Sequence, residues 1–206
     1  MMETRETNNR AFDEMLKVAR ARLSSRTAEE IAAKAKVSYD PDRAQFRLSS
    51  LEQDITVSHP DYAIKPELDP WHQLTILHYL DMADGAALWD RLIAFGDLTH
   101  GLVRGGGFDR HSEHMIGQRL AVQSPERLQA VCEGLGANMI ASNADLCAVF
   151  PFLPCYPVTL KIWFADEDIP GTGRMFLDGS ADHYLSVEDA VTVGTLILDQ
   201  LLARLK

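Results

Sequence analysis

Asp166, Glu167, Asp168 and Asp178 make the densest acidic grouping in the chain, and flexible carboxylates of this kind are what a hard divalent cation takes as ligands. Asp166 and Asp168 stand two apart, as in loops where alternate residues face an ion, and Asp178 can join them if the far end of the intervening hairpin folds back. These three are the candidate metal ligands. A Mg²⁺ or Ca²⁺ site here points to a divalent-cation-dependent hydrolase, and Asp166 with Asp178 is also a conceivable general acid and base pair. The competing structural reading is a solvated acidic loop at 166–168, with Asp178, ahead of Gly-Ser-Ala, accepting backbone N–H groups to start a helical turn.

Other chemistry-bearing residues are sparser. Arg104-Gly-Gly-Gly107 ahead of an expected helix is either a flexible turn or a nest of free N–H groups that holds an anion with Arg104 and Arg110. It lacks the lysine and the spacing of a nucleotide P-loop. His111 and His114 lie one helical turn apart and can face one metal, but without a third ligand they also read as a solvated helix face. His78 falls on an apolar helix face, as a core side chain or as a ligand. The chain has no G-x-S-x-G elbow and no H-E-x-x-H, so the common serine and zinc hydrolase marks are missing. Cys132, Cys147 and Cys155 are odd in number and include no C-x-x-C, which predicts reduced, partly buried thiols.

The elements that must position these residues are legible from periodicity. Val158, Leu160, Ile162 and Phe164 alternate with Thr159, Lys161 and Trp163, the period of a strand with two unlike faces. Gly171-Thr-Gly173 then turns the chain into a second strand at Arg174 to Leu177. Ser186 with Asp189 is a capping box for a last helix whose stripe runs Val187, Val191, Gly194, Leu198, Leu201 and Leu205. Gly194 costs about 1 kcal/mol of helix propensity, which predicts another backbone packed close against it. Upstream, a helix over Arg10 to Leu23 and a second over Ala28 to Lys36 precede a meander at Ala44 to Leu51, Asp54 to His59 and Tyr62 to Ile64. Asp69-Pro70 starts a helix to Met82 that is apolar nearly all round and so packed on two sides. Leu88 to Phe95 fits helix or strand, Ser124-Pro125 restarts a helix to Gly134, and Gly136 to Ser142 and Leu146 to Phe150 read as strands.

Asp166-Glu-Asp-Ile-Pro170 and Leu177-Asp178-x-Ser180-Ala181-x-x-Tyr184-Leu185-x-x-Glu188 resemble the D-E-E-F-P and F-D-x-S-A-x-x-Y-L-x-x-E motifs of an uncharacterised family of domains of unknown function, found mainly in anaerobic bacteria and archaea. His78-Tyr-Leu80, Phe95-Gly-Asp-Leu98 and Gly105-Gly106 fit the same pattern, so the resemblance runs from about Ala44 onward. The family has no established activity and lends no catalytic residues. Some relatives carry a four-cysteine iron–sulfur module of the kind found in corrinoid proteins, which implies a link to one-carbon or corrinoid metabolism. These 206 residues do not include that module.

Composition sets the outer limits. At 206 residues, 46% hydrophobic and 24% charged, the chain suits a single α+β domain over 1–206, with 1–43 a helical N-terminal segment packing on it. A net charge of −10 argues against nucleic acid and anionic membrane as partners. With no long apolar run and a polar start, the expectation is a cytoplasmic protein. The fold expected is α+β, an antiparallel sheet covered by helices with the C-terminal amphipathic helix packed on it. The leading functional expectation is a non-catalytic binding or accessory module, for a metal or corrinoid-type cofactor as the family resemblance implies, with a small ligand or metal and a protein as its candidate partners. The hydrolase above is the second, and the third is a protein-interaction subunit using apolar surface around Phe150 to Tyr156.

Overall fold

The computed structural model describes residues 10–206. Its first helix, α1 (Arg10–Leu23), buries Phe12, Ala19 and Leu23 along the expected stripe. In α2 (Ala28–Ala35), Thr27 Oγ1 accepts the Glu30 N–H at 3.2 Å, and Lys36 ends the helix with a left-handed φ of 52°.

The meander follows as β1 (Ser38–Asp40), β2 (Gln45–Ser50), β3 (Gln53–Ser58) and β4 (Ile64–Lys65), an antiparallel sheet in that order. It gains β1, a strand the sequence did not signal. A second antiparallel sheet holds β5 (Leu92–Ile93), β6 (Asn138–Met139), β7 (Leu146–Leu153), β8 (Tyr156–Trp163) and β9 (Thr172–Asp178), in the order β5-β9-β8-β7-β6. The hairpin of β8 and β9 pairs Val158 with Leu177 and Trp163 with Thr172. Of Leu88 to Phe95 only two residues pair as β5, and the strand expected over 136–142 shrinks to the two of β6.

Helices cover these sheets, giving the α+β class. Asp69 Oδ1 accepts the Trp71 N–H at 2.9 Å and starts α3 (Pro70–Met82), which lies between α1 and α2 on one side and α6 (Val187–Arg204) on the other. That two-sided packing accounts for its all-round apolarity. The inner residues of α6, Ala190, Val193, Ile197 and Leu201, are fully buried in the same core as Phe150, Val158 and Leu160 of the second sheet. Gly194 does answer a close approach, but from a side chain: a Cβ there would meet the Phe108 ring, with Cε1 at 2.7 Å.

Phe108 belongs to α4 (Gly101–Met115), and this helix corrects two expectations. Gly105, Gly106 and Gly107 lie inside it, so their N–H groups point along a helix axis and form no anion nest. Gly105 is needed for contact: a Cβ would collide with the carbonyl of Phe95, in a 3₁₀ turn at Phe95–Asp97 whose backbone lies against α4. Helix α4 runs into a π-helical turn, Ile116–Leu120, and α5 (Pro125–Glu133) restarts at Ser124, which accepts the Arg127 N–H at 3.3 Å.

The apolar surface expected around Phe150 to Tyr156 is not exposed. Phe150, Phe152, Leu153, Cys155 and Tyr156 are all buried, because β7 packs against β2 of the first sheet and α5, with His72 and Tyr79 of α3 meeting Phe152 and Cys155. All three cysteines are free and buried. Among the described residues no helix is long and apolar enough to cross a membrane.

Candidate binding cleft

The structure sends the candidate acidic residues to opposite ends of one hairpin. Asp166 and Asp168 are exposed in the link after β8, where Asp166 Oδ1 accepts the Glu167 N–H at 2.6 Å. Asp178 closes β9, seven residues long, so about 20 Å of strand separates it from them. Among the described residues no three His, Cys, Asp or Glu side chains converge on a point where a metal could sit. His111 and His114 are exposed on α4.

Asp178 instead organises a different place. Its Oδ1 accepts the Ser180 N–H at 2.9 Å, the Ser180 hydroxyl at 2.6 Å and the Trp89 N–H at 2.9 Å. Burial works to raise the Asp178 pKa, but the bonds from Ser180 and Trp89 outweigh it and hold the carboxyl below its usual value. Residues 83–91, a strap without regular structure, are thereby tied to the turn after β9. The Gly179 N–H donates to the Arg91 carbonyl at 2.8 Å, and Tyr184 donates its hydroxyl to the Ala86 carbonyl. Between Trp89 and Arg91, Asp90 takes a left-handed φ of 53°, which Asp tolerates better than most residues.

Strap and turn wall a cleft of about 520 Å³, in the size range of small-molecule sites. Trp89 and Arg91 pack over Gly179, where an added Cβ would come within 2.7 Å of Trp89 Cε3 and 3.4 Å of Arg91 Nε. The Arg91 guanidinium lies 5.6 Å from the Trp89 ring centre, within cation–π range. His183 meets the Trp89 ring edge-on at 5.8 Å and shares a 2.6 Å hydrogen bond from Nδ1 to Asp84 Oδ2. That bond, led by its hydrogen-bonding part, holds the Asp84 carboxyl below its usual pKa. Leu92 and Ile93 give the cleft an apolar flank, and Asp97, Thr99 and Asp182 close its other side. Thr99 donates both its N–H and its hydroxyl to Asp182 Oδ2, each at 2.9 Å.

Hydrogen bonds among the lining residues hold these groups in place. The Thr99 hydroxyl is bonded to Asp182 and not to His183, so among the described residues no hydroxyl is hydrogen-bonded to the His183 and Asp84 pair as a triad nucleophile would be. A second trio has the same defect. Asp189 takes the Ser186 hydroxyl on Oδ2 at 2.6 Å and His78 Nδ1 on Oδ1 at 2.6 Å. The carboxylate is in the middle, where a hydrolytic triad needs the imidazole. Asp189 also departs from the expected capping box, since it spends itself on a hydroxyl and an imidazole, while Ser186 still accepts the Asp189 N–H at 3.3 Å.

The motif residues are mostly the frame of this cleft. Leu177, Ala181, Tyr184 and Leu185 are core. The Tyr184 ring stacks on Tyr79 at 5.5 Å, and Tyr79 donates to the Ala35 carbonyl and accepts the Cys155 N–H. Burial raises the pKa of both phenols, so they act as neutral donors. Glu188 pairs with Arg104 at 2.8 Å.

Sequence reasoning missed Trp89, Arg91, Asp84 and His183. The strap carries neither a helical nor a strand period, and His183 is 99 residues from its partner. The one available signal was Asp178-Gly179, where a buried acid precedes the glycine that lets two large side chains lie flat. Elsewhere, a groove of about 430 Å³ near the hairpin link is lined by Glu113, Trp163, Arg174 and Phe176, but there Arg174 and Glu113 already pair with each other at 2.8 Å.

A family model described as "Domain of unknown function (DUF3786)" matches residues 27–200. No curated protein and no solved structure matches the chain.

Proposed function

Because the chain belongs to this family of domains of unknown function, no activity comes with membership, and we propose on geometry that it is a non-catalytic module that binds a small molecule in the Trp89 cleft. The observation that carries this is the way the cleft is held open. Trp89, half exposed at 52%, is an indole kept at the surface by its own backbone bond to buried Asp178 and by a glycine floor. An exposed aromatic fixed in place has already lost the freedom a ligand would otherwise have to remove.

A corrinoid-type cofactor does not fit this cleft. A whole corrinoid is larger than the drug-sized ligands that a cleft of about 520 Å³ encloses. The hydrolase reading needs Asp178 beside Asp166 and Asp168, and the hairpin puts them at opposite ends. Three buried, unpaired cysteines support a reducing, cytoplasmic setting for the module.

The test is a thermal-shift screen of a fragment library on the parent and on Gly179→Ala. The added methyl would come within 2.7 Å of Trp89 Cε3, so the half-exposed indole must leave its seat on Gly179 while the Trp89 backbone bond to Asp178 stays; the fold should survive while cleft binders lose their effect. If the same fragments stabilise both proteins equally, the ligand site is elsewhere.

A further inference from the structure

The cleft carries charges of both signs that do not pair with each other. Arg91 forms no ion pair among the described residues, although two carboxylates, Asp97 and Asp182, line the same cleft. Each carboxylate is steered by a backbone donor instead. Asp97 Oδ2 accepts the Ala94 N–H at 2.9 Å, and Asp182 Oδ2 accepts both donors of Thr99. One oxygen of each is thus committed and the other, Oδ1, has no protein partner among the described residues. The third acid, Asp84, is engaged by His183. Opposite charges held apart by independent restraints do not neutralise each other, and a ligand bearing both signs gains from both at once.

We infer that the cleft takes a zwitterion, an α-amino acid with an apolar or aromatic side chain. Its carboxylate pairs with Arg91, its ammonium with the spare oxygens of Asp97 and Asp182, and its side chain lies along Trp89 and the exposed edge of Leu92. A simple anion would face two carboxylates unaided, and a simple cation would compete with Arg91 for the Trp89 ring. This inference rests on the cleft being the ligand site, and adds which ligand chemistry it selects.

Calorimetric titration of the parent with each proteinogenic L-amino acid, singly, is the test. For any that bind, the matching decarboxylated amine and deaminated acid follow. The expected result is binding of at least one amino acid with a Kd under about 1 mM, and at least about tenfold weaker binding of both single-charge analogues. Arg91→Gln should weaken the amino acid without weakening the amine, and Asp182→Asn should weaken the amino acid without weakening the acid. No binding across the panel, or an amine or acid that binds as tightly as its parent amino acid, overturns the inference. An analogue that binds equally well but is lost in Gly179→Ala would sink the zwitterion while leaving the cleft as the site.

Discussion

Across 89 residues of chain, Asp178 Oδ1 takes the Trp89 N–H at 2.9 Å while also holding the N–H and hydroxyl of Ser180. One buried oxygen thus fixes both walls of the cleft. Asp178→Ala leaves three donors without their acceptor and should cost about 2–3 kcal/mol, whereas Asp178→Asn keeps an acceptor and should cost about 1 kcal/mol. The Asp178 pKa is depressed on folding, so its contribution is present above the ordinary carboxylate value and is lost as pH falls through the lower folded value. Urea titrations from neutral to acid pH should therefore show Asp178→Asn converging on the parent below about pH 4. A gap that stays the same size as pH falls from about 5 toward about 2 would mean the charge is not what stabilises the strap.

His72 predicts a second pH dependence, at the other end of the molecule. It is buried in α3, 2.9 Å from Ser50 Oγ and against the Phe152 ring, and burial lowers its pKa from 6.5 to about 4. As pH falls below 6.5 the unfolded chain takes up a proton that the folded chain refuses, so stability is full above 6.5 and declines down to about 4. The loss is at most about 3 kcal/mol over that window. His72→Gln should flatten it. An unchanged slope between pH 6.5 and 4.5 in that variant would assign the dependence to other groups.

Two of the three adjacent glycines in α4 should respond in opposite directions. Gly105→Ala places a methyl on the Phe95 carbonyl, a backbone atom that cannot step aside, and should destabilise by about 1–3 kcal/mol. Gly107 has nothing within 4 Å of an added Cβ, so Gly107→Ala should stabilise the protein by about 0.5–1 kcal/mol through helix propensity. Melting curves of the two variants displaced in the same direction would contradict the packing of the Phe95–Asp97 turn on this helix.

The same glycines show where reading the sequence stops. Stripes and caps carried α1, α2, α3, α5 and α6 to within a residue or two, because a helix end or an apolar face is written in neighbours three and four apart. The hairpin of β8 and β9 was equally plain from its alternation. A run of glycines, by contrast, says only that side chains are missing, and whether that serves a turn or a close contact depends on Phe95, which packs in from ten residues upstream. The acidic residues show the same limit in reverse: Asp166, Asp168 and Asp178 are close in sequence, and a straight strand carries the last one away from the first two. The cleft needed Trp89 and His183, whose juxtaposition depends on β5 pairing with β9, a two-residue contact without a local signature.

The central claim, that the strap and the turn after β9 form a ligand site, is tested most directly by amide and indole chemical-shift mapping during titration with binders from the fragment screen. The account predicts that the largest shifts fall on the Trp89 indole, assigned through Trp89→Phe, and on the amides of Gly179, His183 and Thr99. Shifts that leave these signals in place and gather instead around Glu113, Trp163 and Arg174 would contradict it.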